Sequence, residues 1–452
     1  LKKAFLRLSP THTYARSLEK DDARTSAYRC FLEDLLLANR IKVLVATSAL
    51  SMGFDKQDLA FVIHYQRPKS VVDYYQQVGR AGRGVDSAYG VLLNGEEDDK
   101  IGEFFIRNAF PSERNIDHVL RAITSAPLGL SRTELEQRFN LKKGKIEQVL
   151  KFVMSEAPQP IVKNGARYQA TQFASAYHIP LKIVARLAEM RREEMRLMDT
   201  YMKTDKCLMK FLCDALESPA GETNCGHCRN CCPETALSTV VDSTLLQSAA
   251  DFLQKSSILI HPRKQWADPV RAATRFGVNG RNIPPSLQME EGVALTSYGV
   301  GKWGRLVQSG KYSAQPPRFD DQLVDACAEL LARRQCSKCP SWIVPVPSCR
   351  NNVLVGDFAD RLAAKLGCPC WHGLIKVADT PPQKNMENSM FQQNNVIDAF
   401  QVNGSPPQGG CILIDDMVDS KWTFTVAAAV LRQVGVEFVI PLALADSSNE
   451  GE

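Results

Sequence analysis

Two stretches decide how this chain is read: Ala46-Thr47-Ser48-Ala49-Leu50-Ser51-Met52-Gly53-Phe54-Asp55-Lys56 and Gln76-Gln77-Val78-Gly79-Arg80-Ala81-Gly82-Arg83. The first follows a β-branched apolar run, Ile41 to Ala46. Further short runs lie at Phe61 to His64 and Tyr89 to Leu93, with helical patterns at Arg24–Leu37 and Val71–Val78 between them. Strands alternating with helices predict a parallel α/β sheet. Small and hydroxyl residues just past a strand's carboxyl end stand where such sheets bind ligands, and a phosphate can approach their N–H groups closely. The bland reading of the first stretch is an ordinary strand-to-helix loop.

The second stretch sharpens the functional reading. It sets two arginines three apart, with small residues between, at a helix end. A guanidinium is permanently charged and forks onto phosphate oxygens. Across an interface it stabilises charge on a phosphoryl group in transfer. The alternative is two solvated arginines complementing a helix C-terminus.

Together the stretches resemble motifs V and VI of superfamily 2 helicases. With His64-Tyr65 and Tyr74-Tyr75-Gln76-Gln77 added, they are similar to RecQ-type DNA helicases. The resemblance covers roughly residues 10–235. It implies a RecA-like lobe at 1–110, with Gly53, Asp55 and Gln76 against ATP, Thr47 and Ser48 against DNA, and Arg83 as arginine finger beside Arg80. It also implies an ATP- and Mg2+-dependent 3′-to-5′ DNA helicase of repair and recombination. No G-x-x-x-x-G-K-[ST] loop and no DEAH-like run occurs. The first motor lobe and the opening strand of the second are therefore expected to be missing, and this fragment alone is expected not to hydrolyse ATP. A first residue of Leu rather than Met adds to the expectation that the true N-terminus lies upstream.

Ser131-Arg132-Thr133-Glu134 has the capping-box pattern, and Ile146, Val149, Leu150 and Val153 mark a second helix. Asn164-Gly165 between short strands signals a hairpin. Two helices and a hairpin predict a winged helix at about 111–175, with Lys142, Lys143 and Lys145 offered to DNA at a helix start. The alternative is a packing module whose lysines are solvated. A helical domain follows at 176–235, ending in Cys225-x-x-Cys228-x-x-Cys231. Thiolates at this spacing converge on one ion, and four close a structural zinc site. The fourth is Cys207 or Cys213; the RecQ resemblance favours Cys207. Buried free thiols are the alternative.

Residues 236–318 are read as a linker region. Trp266 and Trp303 lie beside basic residues there, a combination that stacks on unpaired bases or anchors a linker to a core. From 319 to 452 alternation returns: Trp342–Val346, Phe358–Leu366, Leu374–Val377, Cys411–Ile414, Thr425–Val434 and Phe438–Leu442. Cys411 to Ile414 lead into Asp415-Asp416-Met417-Val418-Asp419-Ser420-Lys421-Trp422-Thr423. A strand ending in paired carboxylates, then a hydroxyl-bearing loop opening a helix, suits ribose hydroxyls and a phosphate. This resembles the loop of type I phosphoribosyltransferases. The resemblance implies phosphoribosyl pyrophosphate at Asp415, Asp416, Ser420 and Thr423, a pyrophosphate loop at Pro345-Val346-Pro347-Ser348 and a hood at 378–395. Lys421 stands where that family has Gly, which lets phosphate approach the backbone. Cys336-x-x-Cys339 and Cys368-x-Cys370-x-His372 offer a second metal site if their strands are neighbours, against scattered thiols.

The expected whole is an α/β multidomain protein: a partial RecA-like helicase lobe, a winged helix, a zinc-binding helical domain and a phosphoribosyltransferase-like domain. The rivals are a nucleotide-pathway enzyme or sensor and a non-catalytic DNA-binding module. The 14 Cys cluster as metal ligands cluster rather than as seven disulfides, which predicts a reducing, cytoplasmic setting, nucleoid-associated if bacterial. No run approaches the roughly 20 apolar residues of a membrane span. A net charge of +5 over 452 residues is too mild to argue for DNA by itself.

Overall fold

The computed structural model describes residues 14–16, 23–46, 54–95, 97–218, 224–255, 257–334, 338–348 and 352–448. They form two compact units. One comprises 1–127, 148–162 and 169–243; the other comprises 128–147, 163–168 and 244–452.

The first unit opens with β1 (Tyr14–Arg16), α1 (Ala23–Leu37), β2 (Val43–Val45), β3 (Phe61–His64), α2 (Val71–Val78) and β4 (Tyr89–Leu92). β1 pairs in parallel with β2, and β3 with β4. The described strands thus make two parallel pairs rather than one sheet. A strand does precede α1, ahead of the first strand the sequence suggested. Ser70 caps α2 by accepting the Asp73 N–H at 3.1 Å. Helices α3 (Glu97–Arg107) and α4 (Glu113–Thr124) follow.

Next come β5 (Leu130–Ser131), α5 (Arg132–Arg138), α6 (Lys143–Met154), β6 (Ile161–Asn164) and β7 (Arg167–Ala170), with the strands ordered β5-β7-β6. The capping box forms in full: the Ser131 hydroxyl accepts the Glu134 N–H, and the Glu134 carboxylate accepts the Ser131 N–H at 2.7 Å. Gly165 takes a left-handed φ of 58° between β6 and β7, as a tight hairpin requires.

The helical domain expected at 176–235 contains α7 (Leu181–Lys203) and α8 (Leu208–Ala215). Arg192 and Arg196 on α7 pair with Glu189, Glu193 and Glu103, so the helix carries a mixed-charge face. The core of this unit brings Val71 and Tyr74 of α2 against Met198, Tyr201 and Leu212 of α7 and α8.

After α9 (Ser243–Lys255), the second unit holds β8 (Ile258–Ile260), α10 (Pro269–Phe276), β9 (Gly292–Ser297), α11 (Gly301–Tyr312), α12 (Asp321–Arg333), β10 (Trp342–Pro345) and α13 (Asn352–Leu366). It continues through β11 (Leu374–Lys376), α14 (Ser389–Val396), β12 (Phe400–Val402), β13 (Cys411–Val418), α15 (Trp422–Gln433) and β14 (Val439–Asp446). Its main sheet runs β10-β13-β14-β9-β8, parallel except for the edge strand β8. Residues 236–318 therefore contribute two of its strands and are not a linker there.

Alternation along β13 sends Cys411 and Leu413 to one core and Ile412 and Ile414 to the other. Helix α15 covers the first face, while α12 and α13 cover the second, giving a three-layer domain. Trp266 is fully buried, 5.2 Å from Phe276 and 6.2 Å from Trp422 ring to ring. It is a core anchor, so the base-stacking role does not apply to it. Trp303 is half-buried against the second core, with Lys302 over its ring.

Candidate functional site

The Gln76–Arg83 stretch runs from the end of α2 through a turn in which Gly82 takes a left-handed φ of 82°. That turn returns both arginines to the strand-following segment. Arg80 donates to the Phe54 carbonyl. Arg83 pairs with Asp55 at 2.7 Å and remains 44% exposed. Gln76, Gly79, Arg80 and Arg83 line a cleft of about 760 Å³, walled also by Tyr75, Gly90 and Met209. Arg80, Arg83, Asp55 and Gln76, chosen from sequence, thus gather in one place. Thr47, Ser48 and Gly53 lie outside the described residues.

Behind the cleft, His64 meets the Gln77 side chain at 3.0 Å and the Tyr74 ring at 5.1 Å. Burial lowers its pKa, so it is neutral near pH 7 and acts as a packing group.

Cys207, Cys225, Cys228 and Cys231 bring their sulfurs within 4.8 Å of one another, a set able to hold a metal ion. Of the two candidates left open by spacing, it is Cys207 that joins this set, and Cys213 stands outside it. Cys207 caps α8, its sulfur accepting N–H groups from Lys210 at 3.4 Å and Cys225 at 3.2 Å. Burial opposes ionisation of Cys207, yet those N–H groups hold its pKa below the usual thiol range. Cys228 follows the same balance, with burial against the Leu208 N–H, and falls to about 6. Asn230 straps the Cys-rich turn to the segment before α8 through the Thr204 and Lys206 carbonyls, at 2.9 and 2.6 Å.

The lysines expected to meet DNA sit at the start of α6. Lys143 lies 4.0 Å from Glu147 and is well exposed. Lys145 pairs with Glu387 at 2.9 Å. The segment that carries Glu387 is fastened by Asn388, whose amide donates to the Glu136 and Phe139 carbonyls at 3.0 and 2.8 Å. Sequence reasoning did not anticipate this contact, because its partners lie 242 residues apart.

In the second unit β13 does not stop at Ile414 but pairs with β14 through Val418. Asp415 and Asp416 therefore lie within the strand, and the loop to α15 is only Asp419 to Lys421. Lys311, which no motif marked, pairs with Asp416 at 2.6 Å where both are largely buried. Burial, together with the Asp416 charge, raises the Asp415 pKa well above the ordinary value. The Ser420 carbonyl accepts from Arg263 at 2.8 Å, while the Arg263 guanidinium lies 4.3 Å over the Trp422 ring. Thr423 is half-buried in the first turn of α15. Lys421 adopts φ 68° and ψ 1°, a left-handed conformation natural to glycine.

Of the second metal set expected from sequence, Cys336 lies outside the described residues. Cys339 and Cys368 join no described group of metal-ligating side chains; Cys370 and His372 do, together with Asp360.

Residues 9–85 match the family described as helicase conserved C-terminal domain. The chain is 28% identical over 215 residues to the ATP-dependent DNA helicase RecQ of Synechocystis, covering 44% of this chain and 40% of that protein. It is 39% identical over 94 residues to the ATP-dependent DNA helicase RecQ of Bacillus subtilis, covering 21% and 15%. It is 44% identical over 85 residues to the ATP-dependent DNA helicase Q1 of Pongo abelii, covering 19% and 12%. The chain thus spans less than half the length of each of these relatives. Among the described residues no helix is long and apolar enough to cross a membrane. The paired arginines and their cleft therefore lie in or beside a helicase conserved C-terminal domain, in a chain similar to the C-terminal portion of RecQ-like superfamily 2 helicases.

Proposed function

We propose that this chain is the arginine-finger and DNA-handling part of a RecQ-type ATP-dependent helicase that moves 3′ to 5′ and acts in repair and recombination. The carrying observation is the return of Arg80 and Arg83 onto Phe54 and Asp55 beside an open cleft. The Arg83–Asp55 pair is substantially exposed, and such pairs are worth about 0–1 kcal/mol. Arg83 can therefore leave Asp55 for a triphosphate at little cost. A lobe bearing a phosphate-binding loop supplies the rest of the ATP and Mg2+ site. The resemblance assigns Gly53, Asp55 and Gln76 to the nucleotide and Thr47 and Ser48 to DNA.

Residues 111–175 are read as a winged helix, supported by α5, α6 and the β6–β7 hairpin. The four cysteines are read as a zinc site, supported by their convergence on the α8 N-terminus. Residues 319–452 are read as phosphoribosyltransferase-like, supported by the parallel strand order β10-β13-β14. Ligand binding by Asp415, Asp416, Ser420 and Thr423 fits poorly, since Lys311 already engages Asp416. For that reason the helicase reading is preferred to a nucleotide-pathway enzyme.

Gel shifts with forked and blunt duplexes test the DNA reading. Lys143→Ala is expected to lower the slope of log affinity against log salt by about 0.9, the share of one phosphate contact. Unmeasurable binding by the parent chain, or an unchanged slope, contradicts it.

A further inference from the structure

Asp360, Cys370 and His372 belong to neither the arginine cleft nor the four-cysteine set. Asp360 projects from α13, whose neighbouring residues Phe358, Ala359 and Leu362 are fully buried. The Cys370 segment is fixed to the edge of β10. Ile343 N–H donates to the Pro369 carbonyl at 2.9 Å, and Trp371 N–H donates to the Ile343 carbonyl at 2.8 Å. Trp371 further packs edge-on against Trp342 at 5.5 Å. Cys370 and His372 are thereby presented two residues apart on an extended segment, hence toward one side. His372 Nε2 lies 2.7 Å from Asp360 Oδ1.

The three donor atoms all lie within 4.8 Å of one another. Ligands of a tetrahedral zinc ion, at bond lengths of about 2.0–2.3 Å, stand roughly 3.3–3.8 Å apart. Closure of the group around an ion thus requires shifts of about 1 Å, within the reach of side-chain torsions. Asp360 and His372 are exposed, so an ion has a path in. A cleft of about 600 Å³ adjoins them, lined also by Pro347, Ser348, Asp357 and Lys376. It opens past the carboxyl end of β10. There the chain leaves toward the Cys370 edge on one side of β10, while β13 lies on the other. Such a reversal is where open α/β sheets receive ligands.

We propose that Asp360, Cys370 and His372 form a three-ligand site for a divalent cation of the zinc class, its open position facing the β10 cleft. One thiolate, one imidazole and one carboxylate make a borderline donor set suited to zinc and poorly suited to magnesium or calcium. Three protein ligands with a free fourth position are the arrangement of zinc ions that bind exchangeable water or anionic ligands, whereas four thiolates close a site. Cys370 thus keeps the metal-binding part suggested by its sequence surroundings. His372 of the same edge segment was in the expected set as well, whereas Asp360, from a helix, was not.

The test is metal stoichiometry on the full chain, stripped with chelator, refilled with excess zinc and desalted. His372→Ala and Asp360→Ala, both exposed positions, are each expected to hold one equivalent fewer than the parent. Because the comparison is a difference, it reads the same whether or not the four-cysteine set is filled. Cobalt titration gives the second measurement: the parent should show thiolate-to-cobalt absorption in excess of that of His372→Ala and Cys370→Ser, whose remaining band comes from the four-cysteine set. The far-ultraviolet dichroism of all variants should be unchanged. Equal metal content in the parent and the two exposed variants overturns the site, as does a cobalt spectrum identical in all of them.

Discussion

Lys421 invites a direct test of how the second unit is held together. Its φ of 68° and ψ of 1° place a long-chain residue in the left-handed region, at the N-cap of α15, with no side-chain cap bond to compensate. An L residue with a Cβ loses about 1–2 kcal/mol there, whereas glycine does not. Glycine gives back about 0.4–1 kcal/mol through the freer unfolded chain. Lys421→Gly is therefore expected to stabilise this unit by about 1 kcal/mol, a melting shift of roughly 2–4 °C for a domain of this size.

The charge acts in the same direction. Burial, then the Arg263 cation, lowers the Lys421 pKa below 10.5. The unfolded chain binds this proton more tightly, so the lysine's charge opposes folding fully at neutral pH. That opposition disappears as pH rises through the lowered folded value toward 10.5. The advantage of Lys421→Gly should shrink over that alkaline window. Lys421→Ala removes the charge but keeps the Cβ, and Lys421→Asn tolerates the left-handed backbone. Denaturant unfolding monitored through the buried tryptophans should rank Gly above Asn above Ala. Equal stabilisation by Ala and Gly, or destabilisation by Gly, refutes the backbone argument.

Cys207→Ser should empty the four-cysteine site and unfold its surroundings, while Cys213→Ser keeps the metal; zinc analysis and a melting curve check both. Glu387→Ala frees Lys145 from its 2.9 Å partner. It should raise the salt slope of DNA binding by about 0.9, and the gain should vanish in the Glu387→Ala/Lys145→Ala double variant, read by fluorescence anisotropy.

Much of the chain up to the Cys-rich turn was legible because its signals are local. Helix α2 runs Val71–Val78 as its pattern predicted, and the Ser131–Glu134 box closes as its spacing required. Cys207 was favoured by family resemblance, and its sulfur meets the Cys-rich turn by accepting the Cys225 N–H. Where sequence reasoning failed, distant partners decide. The strand at Gly292–Ser297 pairs with Leu442 to Asp446, about 150 residues on, so nothing nearby distinguished it from a linker. Asp415 and Asp416 interrupt an apolar run and looked like a strand end. Their strand continues because β14 supplies a ladder and Lys311 supplies the opposing charge. Glu387 and Asp360 had no motif to announce them; each matters only through what the fold sets beside it.

The central claim rests on Arg83, and one paired measurement tests it most directly. This chain is joined behind a lobe with a phosphate-binding loop, and DNA-stimulated ATP turnover and DNA affinity are compared for the parent and Arg83→Ala. The account predicts a loss of turnover on the order of 10³ or more, as for an arginine finger, with DNA affinity within about twofold, because exposed arginine pairs contribute little to folding. Equal losses in turnover and DNA affinity, or turnover unchanged by Arg83→Ala, would contradict it.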